Sequence, residues 1–493
     1  MYVLAFDLGG SSGKMYLATQ QEEKISLKEI LKVENHPVEV NGNLYWDFFR
    51  IYESVLEGIR IAVRETKDHV DSIGFDSFCN DFALIDTKGT ILSPVRCYRD
   101  SRTARHQKHM SSVMDAKELY RINGNQRALF NTLPQIDAMK EDGCGWMLDH
   151  CDKLLFVSDL LSYCLTGEKR TEYTTASVTQ MFDYEKMSWS DCVLDAYHIR
   201  KSIFAPLVLP GTVVGNTRPE INRILGTKGI PVTAVCQHDT ASAFLAAVGE
   251  DDPVIISAGT WSVMGCETEE SIIHESGFIW NIANEGGYQG HHRILRNVMG
   301  TWILQEVLRE EREKGRALTF AGLDEWAETY PNPACALDVD LEEFYTPGQM
   351  QEKIEQYWMR HVGRKPENLG ELASGVYLGL AFKYRFTIEK LEEYTGKHFR
   401  SVNIVGGGAK SSLLCRKIAD VCGFPVEAGP FDATAYGNVL IQMIAKGVIS
   451  SVEEGRRMIR NSCEIRRYEP SGTGEWENKY REFKKQMSKS NLP

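Results

Sequence analysis

Tyr2-Val3-Leu4-Ala5-Phe6-Asp7-Leu8-Gly9-Gly10-Ser11-Ser12-Gly13-Lys14-Met15-Tyr16-Leu17-Ala18 is the stretch from which the fold can be read. Its apolar opening, Tyr2 to Phe6, reads as a buried strand, Gly9 to Gly13 as a turn, and Met15 to Ala18 as a second strand, together a hairpin. The same pattern recurs after Gly249-Glu250-Asp251-Asp252-Pro253. There Val254-Ile255-Ile256-Ser257 is a strand, Ala258-Gly259-Thr260 a tight turn, and Trp261-Ser262-Val263-Met264-Gly265 a second strand. Two lobes, each begun by strand, small-residue turn and strand, are therefore expected. The division falls at 248–253, where Gly, three acids and Pro cluster, giving lobes 1–248 and 249–493.

Outward from these hairpins the chain reads as α/β. A helix is expected over 47–66, then strands at Ser72-Ile73-Gly74-Phe75 and Phe82-Ala83-Leu84-Ile85. Residues 100–200 read as mostly helical, with Leu154, Leu155, Val157, Leu160 and Leu161 on helical spacing. Val232 to Cys236 is a strand, followed by a small-residue helix from Thr240 to Val248. In the second half, helices are expected over 295–314, 370–393, 410–422 and 432–446, with a strand at 402–405. Residues 315–368 read as irregular, and the Lys-rich tail after about 483 as frayed.

Composition excludes several classes. A chain of 493 residues, 43% hydrophobic and 25% charged, is long enough for more than one packed core and is not low-complexity. Its net charge is −12 with Lys and Arg scattered, so no basic patch points to nucleic acid. The N-terminus lacks the basic flank of a signal peptide, and no apolar run approaches the roughly 18 residues that span a bilayer. The 12 cysteines contain no C-x-x-C pair and read as reduced thiols of a cytoplasmic protein. Nothing in the sequence specifies an oligomeric state.

Four segments carry candidate chemistry. In Asp7-Leu8-Gly9-Gly10-Ser11-Ser12-Gly13-Lys14 the glycines allow close backbone approach, and successive N–H groups can form an anion nest. It is not a Walker A loop, because Met15 follows the lysine where Ser or Thr is required. Ala258-Gly259-Thr260-Trp261-Ser262 would be its counterpart at the other end of a polyphosphate. Val405-Gly406-Gly407-Gly408-Ala409-Lys410-Ser411 offers bare backbone to a nucleotide. Ser411 stands where a dinucleotide-binding fingerprint needs glycine, which argues against a nicotinamide oxidoreductase. In Gln237-His238-Asp239-Thr240-Ala241 an Asp between strand and helix reads on local grounds as an N-cap. Its other reading is a base accepting a substrate hydroxyl's proton. His238 reads equally as a substrate contact or a packed histidine. Asn297, Thr301 and Gln305 fall at i, i+4 and i+8 of the helix expected over 295–314, on the face opposite its apolar stripe.

Taken in order, these segments resemble the FGGY carbohydrate kinases. The motifs are Asp7-Leu8-Gly9-x-Ser11-Ser12-Gly13, His238-Asp239-Thr240-Ala241-Ser242, Gly259-Thr260-Trp261-Ser262 and Gly406-Gly407-Gly408. Supporting stretches are Tyr98-Arg99-Asp100-Ser101-Arg102-Thr103, Phe130-Asn131-Thr132-Leu133, Asn284-Glu285-Gly286-Gly287 and Leu295-Arg296-Asn297-Val298-Met299-Gly300. Ala428-Gly429-Pro430 running into Ala433-Thr434-Ala435-Tyr436-Gly437-Asn438 completes the set.

The resemblance implies two actin-like (ribonuclease H-like) lobes with a catalytic cleft between them, the first holding the sugar and the base, the second the nucleotide. It implies ATP and Mg²⁺, Asp239 as base, and Asp7 holding the metal through water. Gly10, Ser11, Ser12, Gly13, Lys14 and Thr260 would embrace the phosphates, and Gln305, Gly407 and Gly408 would contact ATP. His238, Asp239, Thr240 and Asn297 would contact the sugar, expected to be L-rhamnulose phosphorylated at O1. Members acting on L-rhamnulose carry Trp-Gly-Val-Asp-Phe where this chain has Phe78-Cys79-Asn80-Asp81-Phe82. Cys79 thus adds a side chain at a sugar-contacting position, which keeps L-fuculose, xylulose and glycerol open as substrates. An actin-like nucleotide switch without sugar turnover is the reading from another class.

Overall fold

A computed structural model describes residues 1–250 and 252–487. Cα packing divides the chain into two units. The first is Met1–Ala246 with Glu267–Ile294 and Ala433–Ser462; the second is Ala247–Cys266, Leu295–Asp432 and Cys463–Pro493. Asp251, inside the expected division at 248–253, lies outside the described residues, as do positions 488–493 of the expected frayed tail. Helix Thr473–Met487 covers the described part of that tail.

In the first unit, β1 (Tyr2–Leu8) and β2 (Ser12–Gln21) form the expected hairpin, extended by β3 (Lys24–Glu34). Helix α1 (Phe48–Thr66) follows, capped by Asp47, whose side chain accepts from Arg50 N. Its Ile51, Val55, Ile59 and Val63 share one face and join Phe6, Met15 and Phe75 in a single apolar core. Next come β4 (Ser72–Ser77), β5 (Val213–Asn216) and β6 (Pro231–Thr233). The sheet order is β5-β6-β4-β1-β2-β3. β1 runs parallel to β4 and β4 parallel to β6, while the hairpin pairs are antiparallel. A central strand buried on both faces needs a continuous apolar run, which Val3 to Phe6 supplies.

Helix α2 (Asp239–Leu245) packs against the helix Ala433–Ala445, also in this unit. The approach is close enough to require glycine: a Cβ on Gly437 would lie 1.8 Å from the Ser242 carbonyl oxygen. The same helix reaches the sheet through polar contacts. Gln442 donates to the Leu4 carbonyl at 2.9 Å, and Asn438 donates to the Gly74 carbonyl at 3.2 Å.

The second unit repeats the opening device. β7 (Val254–Ala258) and β8 (Trp261–Thr268) form an antiparallel hairpin. Helices α3 (Trp302–Glu313) and α4 (Leu369–Thr395) are followed by β9 (Val402–Val405), α5 (Ser412–Cys422), β10 (Val426–Ala428) and β11 (Arg466–Tyr468). These five strands lie in the order β8-β7-β9-β10-β11, with β7–β9 and β9–β10 parallel. Among the described residues no helix is long and apolar enough to cross a membrane.

Three expectations need correction. The helix expected over 295–314 begins only at Trp302; Leu295 to Met299 belong to the strand His292–Met299. Gly300 ends that strand, its N–H donating to the Thr260 carbonyl at 3.1 Å. Asn297 therefore does not share a helix face with Thr301 and Gln305. Leu154 and Leu155 lie in a strand, Lys153–Phe156, ahead of the helix Val157–Thr166. Residues 315–368 hold two helices, Phe320–Glu328 and Met350–Val362.

Replacing Gly437 by Ala should lower stability by about 3 kcal/mol, the upper range for overpacking against backbone that has no rotamer to yield. Urea denaturation checks this, and an unchanged midpoint would contradict the close approach of the two helices.

Candidate active site

The parallel register of β1 and β4 sets Asp7 opposite Asp76 and Leu8 opposite Ser77. Asp76 is fully buried. Burial, and then the Asp7 charge, raise its carboxyl well above the ordinary range; the Asn438 amide, donating to Oδ2 at 2.6 Å, and His238 oppose this, while Asp239 adds to it. Asp76 Oδ1 has no hydrogen-bond partner. Three carboxylates, Asp7, Asp76 and Asp239, thus converge at one end of the sheet. Sequence reasoning missed Asp76. The available signal was an acid directly after the apolar run Ile73-Gly74-Phe75.

The turn between β1 and β2 is narrow, since Leu8 pairs with Gly13 and Asp7 with Lys14. Its carbonyls are taken up by Asn35: the Asn35 N–H donates to Ser11 O at 3.1 Å and the side-chain amide to Gly9 O at 3.0 Å. None of the described hydrogen bonds uses the N–H of Gly10 or Ser11. A Cβ on Gly10 would lie 2.9 Å from the Tyr98 hydroxyl, so only glycine lets Tyr98 close on the turn. An open pair of amides beside Lys14 has the chemistry of an anion nest.

Asp239 is the first residue of α2, and His238 occupies the cap position. The N-cap expectation is thereby shifted by one residue. The Asp239 carboxylate still serves the first turn, accepting from Thr240 N at 2.6 Å and from the Thr240 hydroxyl at 3.2 Å. Its side chain remains one-third exposed, at 33%. His238 is buried, with Nε2 3.5 Å from Asp239 and Nδ1 3.3 Å from Glu285. Arg293 lies 2.9 Å from Glu285 and 3.1 Å from His238 Nδ1. Burial opposes the imidazolium, yet Cys79 and the Glu285 carboxylate raise His238 above the ordinary imidazole range. Burial also raises the Cys79 thiol, leaving it neutral at pH 7, so Glu285 carries the effect. In the sequence Glu285 stands only within the stretch Asn284-Glu285-Gly286-Gly287, and Arg293 in no motif.

Beside this lies an aromatic cluster, with Trp46 and Phe78 buried in the core and Tyr98 and Phe130 partly exposed. Trp46 and Phe78 have ring centroids 4.5 Å apart, and Tyr98 and Phe130 6.3 Å. Asp81 organises it, accepting from Trp46 Nε1 at 2.6 Å, Tyr98 N at 2.9 Å and Gln135 Nε2 at 2.8 Å. Burial pushes the Asp81 carboxyl up to about 7 against those three donors. Cys79 is half-buried, and Asn80, at φ 75°, donates to Cys79 Sγ at 3.1 Å.

In the second unit, the Gly259-Thr260 turn is stitched to the start of α3. Thr301 N donates to Gly259 O at 2.9 Å, the Thr260 hydroxyl to Gln305 Oε1 at 3.3 Å, and Gln305 Nε2 to the Thr301 hydroxyl at 3.0 Å. The β7–β9 pairing brings Gly406 to Gly408 against Ala258: a Cβ on Gly408 would lie 2.6 Å from Ala258 Cβ. A Cβ on Gly407 would meet nothing within 4 Å, so its backbone faces open space. Thr260, Gln305, Gly407 and Gly408 are thus gathered at one end of this sheet. Asn297 sits half-buried on its strand.

The chain belongs to the FGGY family of carbohydrate kinases, whose N-terminal domain matches residues 2–246 and whose C-terminal domain matches 254–446. It is an ATP-dependent sugar kinase with the expected α/β architecture of two actin-like lobes. Among particular proteins, it is 33% identical over 481 residues to the rhamnulokinase of Bacteroides thetaiotaomicron, covering 97% of this chain and 98% of that one. The rhamnulokinase of Bacillus subtilis is 33% identical over 471 residues, 95% of this chain and 96% of that one. The fold is similar to that of xylulose kinase from Rhodospirillum rubrum (TM-score 0.81, 15% identity, 99% of both chains). It is also similar to Plasmodium falciparum glycerol kinase with ADP (TM-score 0.80, 14% identity, 99% of this chain and 98% of that one).

Glu285→Ala should cost about 3–5 kcal/mol, because Arg293, 1% exposed, would be left as an uncompensated buried charge. Chemical denaturation measures this; a loss below about 1 kcal/mol would show that the pair is not desolvated.

Proposed function

We propose that the protein transfers the γ-phosphoryl group of ATP to O1 of L-rhamnulose, giving L-rhamnulose 1-phosphate and ADP, with Asp239 as the base. The observation that carries this reading is the placement of Asp239. It is a partly exposed carboxylate, locked by two bonds from Thr240, in the same corner as Asp7 and the open amides of Gly10 and Ser11. Phosphoryl transfer asks little covalent chemistry of the protein, so one aimed carboxylate and fixed positive potential suffice.

In this reading the hydroxyl proton passes to an Asp239 oxygen as O1 attacks phosphorus, and the P–O bond to ADP breaks. The N–H groups of Gly10 and Ser11, with Ser12, Gly13 and Lys14, take the phosphate charge. In the second unit Thr260, Gln305, Gly407 and Gly408 hold the nucleotide. His238, Thr240, Cys79 and Asn297 contact the sugar. Apart from Asn297 and the phosphate contacts of Gly10 to Lys14, this assigns the sugar and the base to residues 1–248 and the nucleotide to residues 249–493.

The acidic corner also fits Mg²⁺. Asp7 offers hard oxygen donors, and the orphaned Asp76 Oδ1 marks a place where a buried oxygen lacks a partner. Among the described residues no group of three or more His, Cys, Asp or Glu side chains forms a cage. That suits an ion held by one or two carboxylates plus phosphates and water. Mg²⁺ held by Asp7 would supply charge neutralisation at the transferring phosphate.

Two features support the choice of sugar: the relatives named rhamnulokinase, and the partly exposed rings of Tyr98 and Phe130, backed by the buried Trp46 and Phe78, which suit a ketose bearing a methyl group. Cys79 favours a second reading within the same chemistry, another ketose or polyol such as L-fuculose or xylulose. Replacing Asp239 by Ala should lower kcat by roughly 10²–10⁴-fold in a coupled ADP-release assay. Near-normal turnover would sink the assignment of the base. ATP hydrolysis that no sugar stimulates would instead favour a nucleotide-dependent switch.

A further inference from the structure

We infer that Glu172, acting through Thr174, is the positioning residue that aims the Asp239 carboxylate; this rests on the reading of Asp239 as the base. Beyond β6 the chain leaves the regular ladder and runs as an irregular segment to α2. One side of that segment is tied to β4, since Ser77 N donates to Gln237 O at 2.9 Å. The N–H groups of Gln237 and His238 are buried and must find acceptors elsewhere. Gln237 N donates to Glu172 Oε2 at 3.1 Å, and His238 N donates to the Thr174 hydroxyl at 3.2 Å. That hydroxyl in turn donates to Glu172 Oε2 at 2.5 Å, so its proton and lone pair both have assigned directions.

Glu172 is anchored independently of the segment it holds. It caps the short helix Tyr173–Ala176, accepting from Thr174 N at 2.8 Å and Thr175 N at 3.3 Å. Both Glu172 and Thr174 are fully buried. A second buried carboxyl, Asp159, lies beside Glu172 and the Gln237 side chain. A carboxyl this deep in the protein is costly unless it satisfies several donors; here one of them, the Gln237 N–H, lies two residues before the base, and the Thr174 hydroxyl that it holds takes the next, the His238 N–H. The carboxylate touches neither substrate nor the reacting atoms. Its effect on the reaction is exerted through the backbone that ends in Asp239.

The test is a double-mutant cycle on the full chain, reading kcat and KM for ketose and ATP. Glu172→Gln keeps the shape but turns one acceptor oxygen into an NH₂ group facing donors. It should lower kcat about 10- to 100-fold, the range expected when a catalytic group is displaced by about 1 Å. The KM for ATP should stay within about twofold. On the Asp239→Ala background the same substitution should change residual kcat by less than about twofold, because there is no carboxylate left to aim. Equal losses on both backgrounds would show a general structural role and overturn the inference. Should Asp239→Ala itself turn over normally, the base assignment falls and this inference with it.

A second variant guards against misfolding. Thr174→Val removes the acceptor for His238 N while leaving the Gln237–Glu172 bond, and should lower kcat about tenfold, with Thr174→Ser recovering most of the loss. Unchanged kcat in Thr174→Val would overturn the relay.

Discussion

The candidate site depends on one constraint: a parallel ladder places two carboxylates side by side where water is scarce. β1 and β4 pair so that Asp7 faces Asp76, and the start of α2 adds Asp239 to the same corner. Like charges in a low-dielectric setting are tolerated only when donors or a cation offset them. The structure supplies Asn438 for one Asp76 oxygen and leaves the other unpartnered. On the proposed reading, this is why the corner is suited to a ligand that brings a cation with its phosphates. The close packing of Ala433–Ala445 on α2, made possible by Gly437, keeps Asn438 at hand.

Local chemistry in the sequence was a good guide where the structure itself is local. Both strand–turn–strand hairpins, α1, α4 and β9 follow from turn residues and apolar spacing, and the structure has them close to where they were expected. Non-local pairing was not legible. Asp76 becomes a site residue only through the β1–β4 register, and Glu172 only through a contact with Gln237, 65 residues away. Leu295, Val298 and Met299 fit a helical stripe as well as a buried strand, and the deciding residue, Gly300, acts through its contact with the Gly259–Thr260 turn. A Cβ there would lie 2.5 Å from Gly259 O. Residues 315–368 are polar enough that their two helices left little periodic signal.

The shift of the cap from Asp239 to His238 also has a physical lesson. An acid at the first helical position still meets the first-turn N–H groups, here Thr240 N, while its second oxygen is not committed to the helix. Structural and catalytic readings of the residue are therefore compatible. The neighbouring stretch Phe78 to Asn80 is where the chain departs from the expected pattern. Asn80 adopts a left-handed conformation and spends its amide on Cys79, so the added polar group is turned to its neighbour. Cys79 remains half-buried beside His238, and on the proposed reading the choice of sugar turns on its surroundings.

The central claim is that these residues phosphorylate O1 of a deoxyketose. It is tested most directly by supplying ATP, Mg²⁺ and a panel containing L-rhamnulose, L-fuculose, xylulose and glycerol, and identifying the product by phosphorus–proton correlation. The account predicts the highest kcat/KM for L-rhamnulose, with phosphorus coupled to the C1 protons. A different preferred sugar would contradict the assigned substrate, and ADP release without any sugar phosphate would contradict the account as a whole.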